Sequence, residues 1–341
     1  MKTIILDEPG RFALTDTSSP QRPGPGEALV RVLRIGVCGT DFHAFEGTQP
    51  YFSYPRVLGH ELAVEVVALG PSDMPLGLTE GVHCAVRPYL NCGRCSACRR
   101  GAPNCCENLR VIGVHIDGGM RDEFVVPIIH LHVAPTLSAD HLALVEPLAI
   151  GAHAARRPRL APGEHVLVIG AGPIGLATMQ FVRLAGADIT LLEINPKRVE
   201  FARHYGGVER VIQSLEDAPA RLREMLGGDL PTAVFDATGN PRSMMSAVQY
   251  LASAGKLIFV GLVQGQLSLD DPEFHRREVT LYRSRNATAE DFNQVISALE
   301  ADAIDLNPWI THRAAPEAML DEFQTWMRPE SGVVKAIVEW A

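Results

Sequence analysis

The length and charge of the chain already exclude several classes of protein. It has 341 residues, and acidic residues exceed basic ones to give a formal net charge of −9. No block of Lys and Arg stands out, so we expect no nucleic-acid partner. No apolar run approaches the roughly 18 to 20 residues that a membrane span needs. We therefore expect a cytoplasmic protein without a membrane partner, divided into two domains because one core seldom exceeds about 250 to 300 residues.

The N-terminal part of the chain predicts an irregular β-rich lobe. Strand-like runs at 27–37 and 62–67 are short, rich in β-branched residues and bounded by Gly and Pro. Two short stretches here carry possible metal ligands, one around Cys38 and one at His60 and Glu61. Cysteine sulfur and imidazole nitrogen both suit zinc, although neither stretch indicates a site by itself.

Four cysteines lie close together in a loop of about residues 88–108, at Cys92, Cys95, Cys98 and Cys106. Four thiolates at this spacing predict a tetrahedral zinc site with no vacant position, which stabilises the loop and performs no chemistry. A disulfide cluster is the alternative. The length of the chain, its odd total of seven cysteines and the lack of an apolar signal-like run at its start favour zinc.

From residue 151 onward the pattern changes to alternating strands and helices. The run 165–170 is uninterrupted and apolar, as in a strand that is buried on both faces of a parallel sheet. A helical pattern follows it and ends near Gly186, and another covers 196–205. Further strand-like runs stand at 189–192, 233–235, 257–260 and 279–282. This alternation predicts an α/β domain with a doubly wound parallel sheet.

A glycine-rich turn joins the first strand and the first helix of this α/β domain. It consists of Gly170, Gly172, Pro173, Ile174 and Gly175 with Ala171 between the first two. The first glycine permits a tight turn, the second lets the backbone approach a pyrophosphate, and the third lets the helix pack on the strand. A tight turn without a ligand is the alternative. The position of the motif between strand and helix favours a dinucleotide site.

The end of the second strand of this domain bears on the choice of cofactor. Glu193 stands 18 residues beyond Gly175, where a carboxylate accepts hydrogen bonds from the adenosine ribose. NAD is therefore favoured, because a 2′-phosphate would be repelled by this carboxylate, whereas Lys197 and Arg198 keep NADP as an alternative.

Two later loops are expected to touch the cofactor as well. Thr238 follows one buried strand, and Gly261 and Leu262 follow the next, so they lie at the carboxyl edge where dinucleotides bind. Plain loop chemistry is the alternative for both. The segment from residue 284 looks too short to fold alone and is expected to return to the first lobe. The predicted domains are therefore 1–150, 151–283 and 284–341.

Taken in this order along the chain, Cys38, His60, the cysteine quartet and the glycine motif resemble the medium-chain, zinc-dependent alcohol dehydrogenase family over essentially the full length. The nearest likeness is to its polyol, sugar-acid and threonine dehydrogenases. The resemblance implies a GroES-like catalytic domain and a Rossmann domain. It also implies two zinc ions per subunit, one catalytic and one structural, and assembly as a homodimer or homotetramer.

The resemblance assigns ligands to the catalytic zinc. Cys38 and His60 would bind it, and the third ligand would be Glu61 or Glu146, between which the sequence does not decide. Glu146 stands in the segment Val145-Glu146-Pro147, where many alcohol dehydrogenases have a cysteine. Three protein ligands leave one position open for an alcohol or a carbonyl, and this vacancy distinguishes a catalytic zinc from a structural one.

The resemblance also implies a path for the proton. Thr40 would hydrogen-bond the substrate oxygen and pass its proton through the cofactor ribose to His43, whose ordinary pKa suits a relay near neutrality. Asp41 would accept a hydrogen bond from the ring of His60 and fix its tautomer. Taken singly, Thr40 and Asp41 are also common turn or cap residues, and His43 could be a surface histidine.

The expected activity is hydride transfer between NAD and a secondary alcohol of a polyol, sugar or sugar acid. Threonine or another amino alcohol is the alternative substrate. A nucleotide-binding protein that has lost its chemistry is the alternative of a different class, and the intact ligand set argues against it. Arg285 is a candidate partner for a substrate hydroxyl or carboxylate, with a surface salt bridge as its alternative. His115, in a glycine-rich loop, is a candidate for lining the pocket.

Overall fold

The fold is described from a computed structural model that covers residues 1–50, 52–72 and 77–341. Its strands β1 to β17 are, in chain order, Lys2–Glu8, Arg11–Asp16, Glu27–Val37, Glu61–Leu69, His83–Val86, Tyr89–Leu90, Arg110–Val111, Glu123–Pro127, Leu131–Val133, His165–Ile169, Asp188–Leu192, Arg210–Ile212, Ala233–Asp236, Lys256–Phe259, Thr280–Arg283, Ile310–Ala314 and Lys335–Glu339. Its helices α1 to α11 are Gly39–Glu46, Ser96–Arg99, Ala139–Ala143, Val145–Arg156, Pro173–Leu184, Pro196–Tyr205, Ala218–Met225, Pro241–Ser246, Asp271–Arg277, Ala289–Glu300 and Pro316–Trp326.

The chain divides into two compact units. The first joins Met1–Glu146 to Ala287–Ala341, and the second is Pro147–Asn286. Among the described residues, no helix is both long enough and apolar enough to cross a membrane.

A mixed sheet forms the centre of the first unit. Its strands run in the order β16-β17-β3-β4-β5-β9, and β8 also pairs with β3. The pairing of β17 with β3 is antiparallel and sets Ala336 opposite Val37, so the end of the chain lies beside the strand that leads into Cys38. Alternate residues of β3 point into a core of aliphatic and aromatic side chains that includes Val30, Val32 and Phe323.

The second unit contains a parallel sheet in the order β12-β11-β10-β13-β14-β15, with helices between successive strands. The side chains of β10 from Val166 to Ile169 are buried, as the uninterrupted apolar run predicted. The chain leaves β10 for β11 on one side and later returns to β13 on the other, which makes the carboxyl end of β10 the topological switch point of the sheet. The doubly wound α/β fold predicted from the sequence is confirmed.

Candidate metal centres and nucleotide site

Cys38 occupies the turn between β3 and α1, and a capping box fixes this turn. Cys38 is the N-cap residue of α1, and its sulfur accepts a hydrogen bond from the amide of Thr40 at 3.5 Å. In return, the Asp41 carboxylate accepts one from the amide of Cys38 at 2.9 Å. The reciprocal bonds satisfy two amides that the first turn of a helix leaves unpaired, and they fix the position of the sulfur.

His60 and Glu61 lie at the beginning of β4, next to β3. The two strands pair so that Glu61 is opposite Gly36. A Cβ atom at residue 36 would lie 2.1 Å from Oε2 of Glu61, so glycine makes room for this carboxylate. As a result, the ligand atoms of Cys38, His60 and Glu61 all lie within 4.8 Å of one another. Three of the ligands suggested by the sequence are thus brought together.

Asp41 faces His60 inside the protein. The Asp41 Oδ1 and His60 Nδ1 atoms are 3.6 Å apart, and the two side chains are 1% and 6% exposed. Neither atom has a hydrogen-bond partner within the described part of the chain. Burial lowers the pKa of His60, but the charges of Asp41 and Cys38 outweigh it and raise the pKa well above its usual value. This arrangement suits a ring that donates to Asp41 through Nδ1 and binds a metal through its other nitrogen.

The carboxylate of Glu61 forms a buried ion pair that the sequence reasoning did not anticipate. Lys335 of β17 donates to Oε1 and Oε2 of Glu61, at 2.6 Å for Oε2, and to the carbonyl of Val37 at 3.2 Å. The side chains of Lys335 and Glu61 are 3% and 0% exposed. The available signal was a single lysine in the otherwise apolar run 333–338. A lysine at such a position is almost never buried unless it is paired.

Glu146 has a different partner. The hydroxyl of Tyr89 donates to Oε1 of Glu146, and both side chains are buried. Burial raises the pKa of Glu146 to about 7, and the nearby charge of Glu61 acts in the same direction, whereas His60 opposes it. The sequence reasoning proposed Glu146 but missed Tyr89, because nothing in the sequence indicates which hydroxyl reaches this carboxylate.

The donor set of this site fits zinc. It offers a sulfur, an imidazole nitrogen and carboxylate oxygens, which are the ligand types that zinc prefers. Three buried acidic side chains, Asp41, Glu61 and Glu146, and the thiol of Cys38 lie near two basic groups, Lys335 and the ring of His60. Burial raises the pKa of Asp41 and the charge of Glu61 adds to this effect, although the charges of His60 and Lys335 oppose it. A divalent cation would compensate the excess of acidic groups. The nitrogen of His60 that does not face Asp41 would be one of its ligands.

Thr40 and His43 lie three residues apart on α1, and therefore on the same side of that helix. The His43 side chain is 58% exposed, and its Nδ1 lies 3.7 Å from Oε2 of Glu46. The hydroxyl of Thr48 is 3.3 Å from the same nitrogen. An exposed imidazole on the same side of the helix as Thr40 can exchange protons with water. This position is compatible with the proton path that the resemblance implies.

The four clustered cysteines form a second candidate metal centre. The ligand atoms of Cys92, Cys95, Cys98 and Cys106 lie within 4.8 Å of one another, with the sulfurs of Cys95 and Cys106 at 3.9 Å. A tetrahedral site with zinc–sulfur bonds of about 2.3 Å requires sulfurs about 3.8 Å apart. All seven cysteines are among the described residues, and none forms a disulfide. The geometry therefore fits zinc and does not favour the disulfide alternative.

Backbone amides surround this cysteine cluster. The amides of Cys92 and Asn108 each donate to the sulfur of Cys106 at 3.3 Å. Hydrogen bonds from the backbone of Arg94 and Cys95 lower the pKa of Cys92 to about 6. Amide donors favour the thiolate form that binds metal. The neighbouring Cys105 is exposed and lies outside the cluster.

The glycine-rich turn adopts the shape that a dinucleotide site needs. Gly170 has a φ of +93°, which favours glycine. A Cβ at Gly172 would meet no atom within 4 Å, so the backbone there is open to a ligand. A Cβ at Gly175 would lie 1.9 Å from the carbonyl oxygen of Gly170. Helix α5 begins at Pro173, next to Ile174, and its amino end thus follows the open stretch.

Glu193 lies beside this turn at the end of β11. Its side chain is 6% exposed, and its two oxygens accept hydrogen bonds from the amides of Ala171 and Asn195, both at 2.8 Å. Each carboxylate oxygen has a second lone pair. The carboxylate therefore holds the glycine turn in place and can still accept hydrogen bonds from a ribose. Arg198 is exposed in the first turn of α6.

The remaining predicted cofactor contacts lie on the loops after β13 and β14. The hydroxyl of Thr238 donates to Asp236 at 2.6 Å, which fixes the first loop. Gly261 packs so closely on Gly239 that a Cβ would lie 2.4 Å from its amide nitrogen. Leu262 is 60% exposed, an unusual state for a large apolar side chain. The parallel pairing of β13 with β14 brings these loops to one edge of the sheet.

The two candidate substrate contacts, His115 and Arg285, have less structural support than the metal ligands. Nδ1 of His115 accepts a hydrogen bond from the amide of Val111 at 3.1 Å, so this nitrogen serves its own loop. Arg285 is exposed and follows β15 in the second unit.

Comparison with known proteins identifies the family of the chain. Residues 24–136 match the alcohol dehydrogenase GroES-like domain, and residues 173–301 match the zinc-binding dehydrogenase domain. An L-galactonate-5-dehydrogenase of Escherichia coli K12 is 40% identical over 338 residues, or 99% of this chain and 98% of the relative. The chain belongs to the zinc-dependent medium-chain dehydrogenase family, as the resemblance implied. It is an oxidoreductase of the alcohol dehydrogenase class.

Two further relatives bear on substrate and cofactor. An L-threonine 3-dehydrogenase of Pyrococcus horikoshii is 30% identical over 324 residues, which are 92% of this chain and 91% of the relative. The crystal structure of an alcohol dehydrogenase (rspB) from Escherichia coli CFT073, in complex with NADH, superposes with a TM-score of 0.91 at 27% identity. That superposition covers 100% of this chain and 99% of the other.

Proposed function

We propose that this protein is an NAD-dependent, zinc-dependent dehydrogenase that oxidises a secondary alcohol of a sugar acid or polyol, or reduces the corresponding ketone. The observation that carries the proposal is the convergence of Cys38, His60 and Glu61, whose ligand atoms lie within 4.8 Å of one another. A Cys, His and carboxylate set leaves one zinc position open, as catalytic zinc sites require. The cysteine cluster, with four protein ligands, would hold a second, structural zinc.

Within the catalytic site, we assign Cys38, His60 and Glu61 as the protein ligands and Glu146 as an additional carboxylate beside them. When bound, zinc polarises the substrate oxygen and lowers the pKa of its hydroxyl. Asp41 orients the ring of His60 from 3.6 Å. Lys335 compensates the charge of Glu61 inside the protein. All six of these side chains belong to the first unit.

Thr40 and His43 would carry the proton. The Thr40 hydroxyl would accept the proton of the substrate hydroxyl and donate its own toward the cofactor ribose, from which His43 passes it to water. Their spacing on α1 and the exposure of His43 support this order. Bound NAD would supply the acceptor for the hydride of the substrate carbon, and reduced cofactor would supply the hydride in the reverse reaction.

For the cofactor, we propose NAD rather than NADP. The amino end of α5 and the open backbone at Gly172 would bind the pyrophosphate. The buried carboxylate of Glu193, which accepts hydrogen bonds from the backbone amides of Ala171 and Asn195, disfavours a 2′-phosphate. Arg198, Thr238, Gly261 and Leu262 would complete the cofactor site.

The cofactor assignment is tested with Glu193→Ala. We expect NAD to bind more weakly, with the ratio of kcat/KM for NAD over NADP falling at least about tenfold, because a charge repulsion of about 1.4 kcal/mol corresponds to that factor. Steady-state kinetics with both cofactors measure it. Glu200→Ala, an exposed carboxylate on α6, is the matched control. An unchanged cofactor preference would contradict the role of Glu193.

A sugar acid is the substrate class that we favour, because the 40% identical relative acts on L-galactonate. Arg285 would then bind the substrate carboxylate, and His115 would line the pocket. L-threonine is the alternative, supported by the Pyrococcus horikoshii relative. We expect the enzyme to act as a homodimer or homotetramer, as the family resemblance implies, and to reside in the cytoplasm, as its composition suggests.

A panel of alcohols tests the proposed function. L-galactonate, sorbitol and L-threonine are each supplied with NAD, and reduced cofactor is followed by its absorbance. We expect kcat/KM for the sugar acid to exceed that for threonine at least tenfold. A preference for threonine would overturn the substrate class. Absence of turnover with every alcohol, in protein that binds NAD and two zinc ions, would favour a nucleotide-binding protein without chemistry.

A further inference from the structure

The base of the cysteine loop lies close to the catalytic carboxylates. Strands β6 and β7 enclose the loop, and they pair so that Tyr89 is opposite Val111 and Leu90 is opposite Arg110. The four clustered cysteines all lie between these two strands in sequence. Closing the loop with four ligands on one ion therefore also holds β6 against β7.

Tyr89 joins this strand pair to the catalytic site. Its side chain is 3% exposed, and its hydroxyl donates to Oε1 of Glu146, 57 residues away in sequence. The ring also contacts Phe292 of α10 edge to face, with ring centres 6.4 Å apart and an angle of 81° between the planes. The pairing of β6 and the contact with Phe292 together fix the direction in which the hydroxyl points.

The two carboxylates of the catalytic site are thus held by different chemistry. Glu61 is bonded by the ammonium group of Lys335, which compensates its charge. Glu146 is bonded by a neutral hydroxyl, which fixes one oxygen and leaves the charge of the carboxylate in place. Tyr89 occupies one lone pair of Oε1, so Oε2 of Glu146 keeps both of its lone pairs for the metal or for a substrate hydroxyl.

We propose that Tyr89 is a positioning residue through which the closed cysteine loop controls the orientation of the Glu146 carboxylate. The loop performs no chemistry, but its closure keeps β6 paired with β7 and aims the Tyr89 hydroxyl at Glu146. The inference rests on the proposed function for the role of Glu146. The link from loop to carboxylate depends only on the pairing and the hydrogen bond.

The first experiment replaces Tyr89 by Phe, which removes the hydroxyl and keeps the ring on Phe292. We expect kcat for the sugar acid to fall about 10- to 100-fold, the usual effect of removing a partner of a metal-site residue, with KM for NAD unchanged. The visible spectrum of enzyme with Co²⁺ in the catalytic site should shift as well. Tyr54→Phe, which removes a hydroxyl bonded to the carbonyl of Ala44, is the matched control and should change neither quantity.

Two double-mutant cycles then test the direction of the coupling. In a Glu146→Ala background, Tyr89→Phe should have no further effect on kcat or on the cobalt spectrum. In a Tyr89→Phe background, opening the loop with Cys95→Ser should cost much less in kcat than it costs in the wild type. Full, independent losses in both cycles would overturn the proposal and leave Tyr89 a packing residue.

The outcomes separate this inference from the proposed function. If the wild type turns over no alcohol, the proposed function fails, and the cobalt spectrum of Tyr89→Phe still decides whether the hydroxyl acts on the metal site. If Cys95→Ser does not fold, the cycle of Tyr89 with Glu146 remains. An unchanged spectrum and unchanged kcat in Tyr89→Phe would overturn the inference while leaving the proposed activity intact.

Discussion

The two candidate metal centres of the first unit are built in opposite ways. The cysteine cluster takes four identical ligands from one loop and surrounds them with backbone amides. The mixed site takes Cys38 from the end of β3 and His60 and Glu61 from the start of β4. Its supporting side chains come from distant positions, including Tyr89 and Lys335. A site that is closed by its own ligands needs few partners, whereas one that keeps a position open depends on the surrounding fold.

The largest expected effect comes from removing a ligand of the mixed site. His60→Ala should lower kcat by about 10³-fold or more, because metal polarisation of the substrate contributes several kcal/mol to the transition state. One zinc per subunit should be lost while the other remains, since the cysteine cluster is a separate site. Metal analysis and steady-state kinetics on the same preparation measure both quantities.

The control for this variant is Cys105→Ser, which alters an exposed cysteine outside both clusters and should keep full activity and both zinc ions. Turnover that survives in His60→Ala would contradict the assignment of the mixed site as the catalytic centre. Loss of both ions would instead show that the two centres are not independent.

The second prediction concerns the ion pair that supports the mixed site. Lys335→Met leaves the buried Glu61 carboxylate without its counter-charge, which should lower the free energy of unfolding by about 3 to 5 kcal/mol in metal-free protein. The loss should be smaller with zinc bound, because the metal also compensates the charge. Chemical denaturation with and without a chelator measures this difference, and Lys335→Met combined with Glu61→Gln should recover part of the loss.

An equal loss with and without zinc would mean that Glu61 does not respond to the metal, and it would shift the third ligand to Glu146. Lys256→Met is a suitable control, since Lys256 forms a partly exposed ion pair with Glu164 in the second unit. Pairs of this exposed kind typically contribute no more than about 1 kcal/mol.

The third prediction concerns the removal of one ligand from the cysteine cluster. Cys95→Ser should lose the zinc of the cysteine cluster and lower Tm by roughly 5 °C, because the ion stabilises only one loop of a large unit. The zinc of the mixed site should remain. Calorimetry and metal analysis check this outcome. An unchanged Tm together with a full complement of zinc would mean that the cluster does not need all four sulfurs.

The contrast between the two centres also explains what the sequence could predict. The cysteine cluster is visible in the spacing of Cys92, Cys95, Cys98 and Cys106, because ligands that share a loop must be close in space. The α/β domain was predictable for a similar reason: each strand and helix, such as the helix 196–205, has its own local pattern. The glycine turn was recognised from its position between β10 and α5.

Two supporting side chains of the mixed site, Tyr89 and Lys335, carried no such signal in their spacing. Lys335 reaches Glu61 only because β17 returns beside β3, a pairing that joins residues about 300 positions apart in sequence. The hydrogen bond from Tyr89 to Glu146 likewise depends on the fold of the whole unit. The sequence left Glu61 and Glu146 as equivalent candidates. Their different partners are what distinguishes them, and those partners are set by tertiary pairing.

The smallest predicted effect concerns two buried histidines of the first unit that belong to neither metal centre, and it appears in how stability depends on pH. Burial lowers the pKa of His130 to about 3 and that of His132 to about 4, and the charge of Arg87 acts in the same direction on both. These rings are neutral in the folded protein, and the unfolded chain binds their protons near pH 6.5. Their contribution to stability is therefore complete above about pH 6.5 and declines as the pH falls toward the folded pKa values.

Below pH 6, each of these histidines should lower the free energy of unfolding by up to about 1.4 kcal/mol for each unit by which the pH falls. His130→Asn keeps an amide donor for the carbonyl of Arg87, which His130 meets at 3.0 Å, but it cannot take up the proton. We expect metal-free His130→Asn protein to take up about one proton fewer on unfolding than the metal-free wild type between pH 6 and 4.5. The slope of its free energy of unfolding against pH should be smaller by the corresponding amount. His312→Asn, at a half-buried histidine of β16 that lies 3.0 Å from the hydroxyl of Thr311, is the control. An unchanged slope in His130→Asn would place the acid sensitivity of the metal-free protein in its unfilled metal sites, and both centres would then govern stability as well as zinc binding.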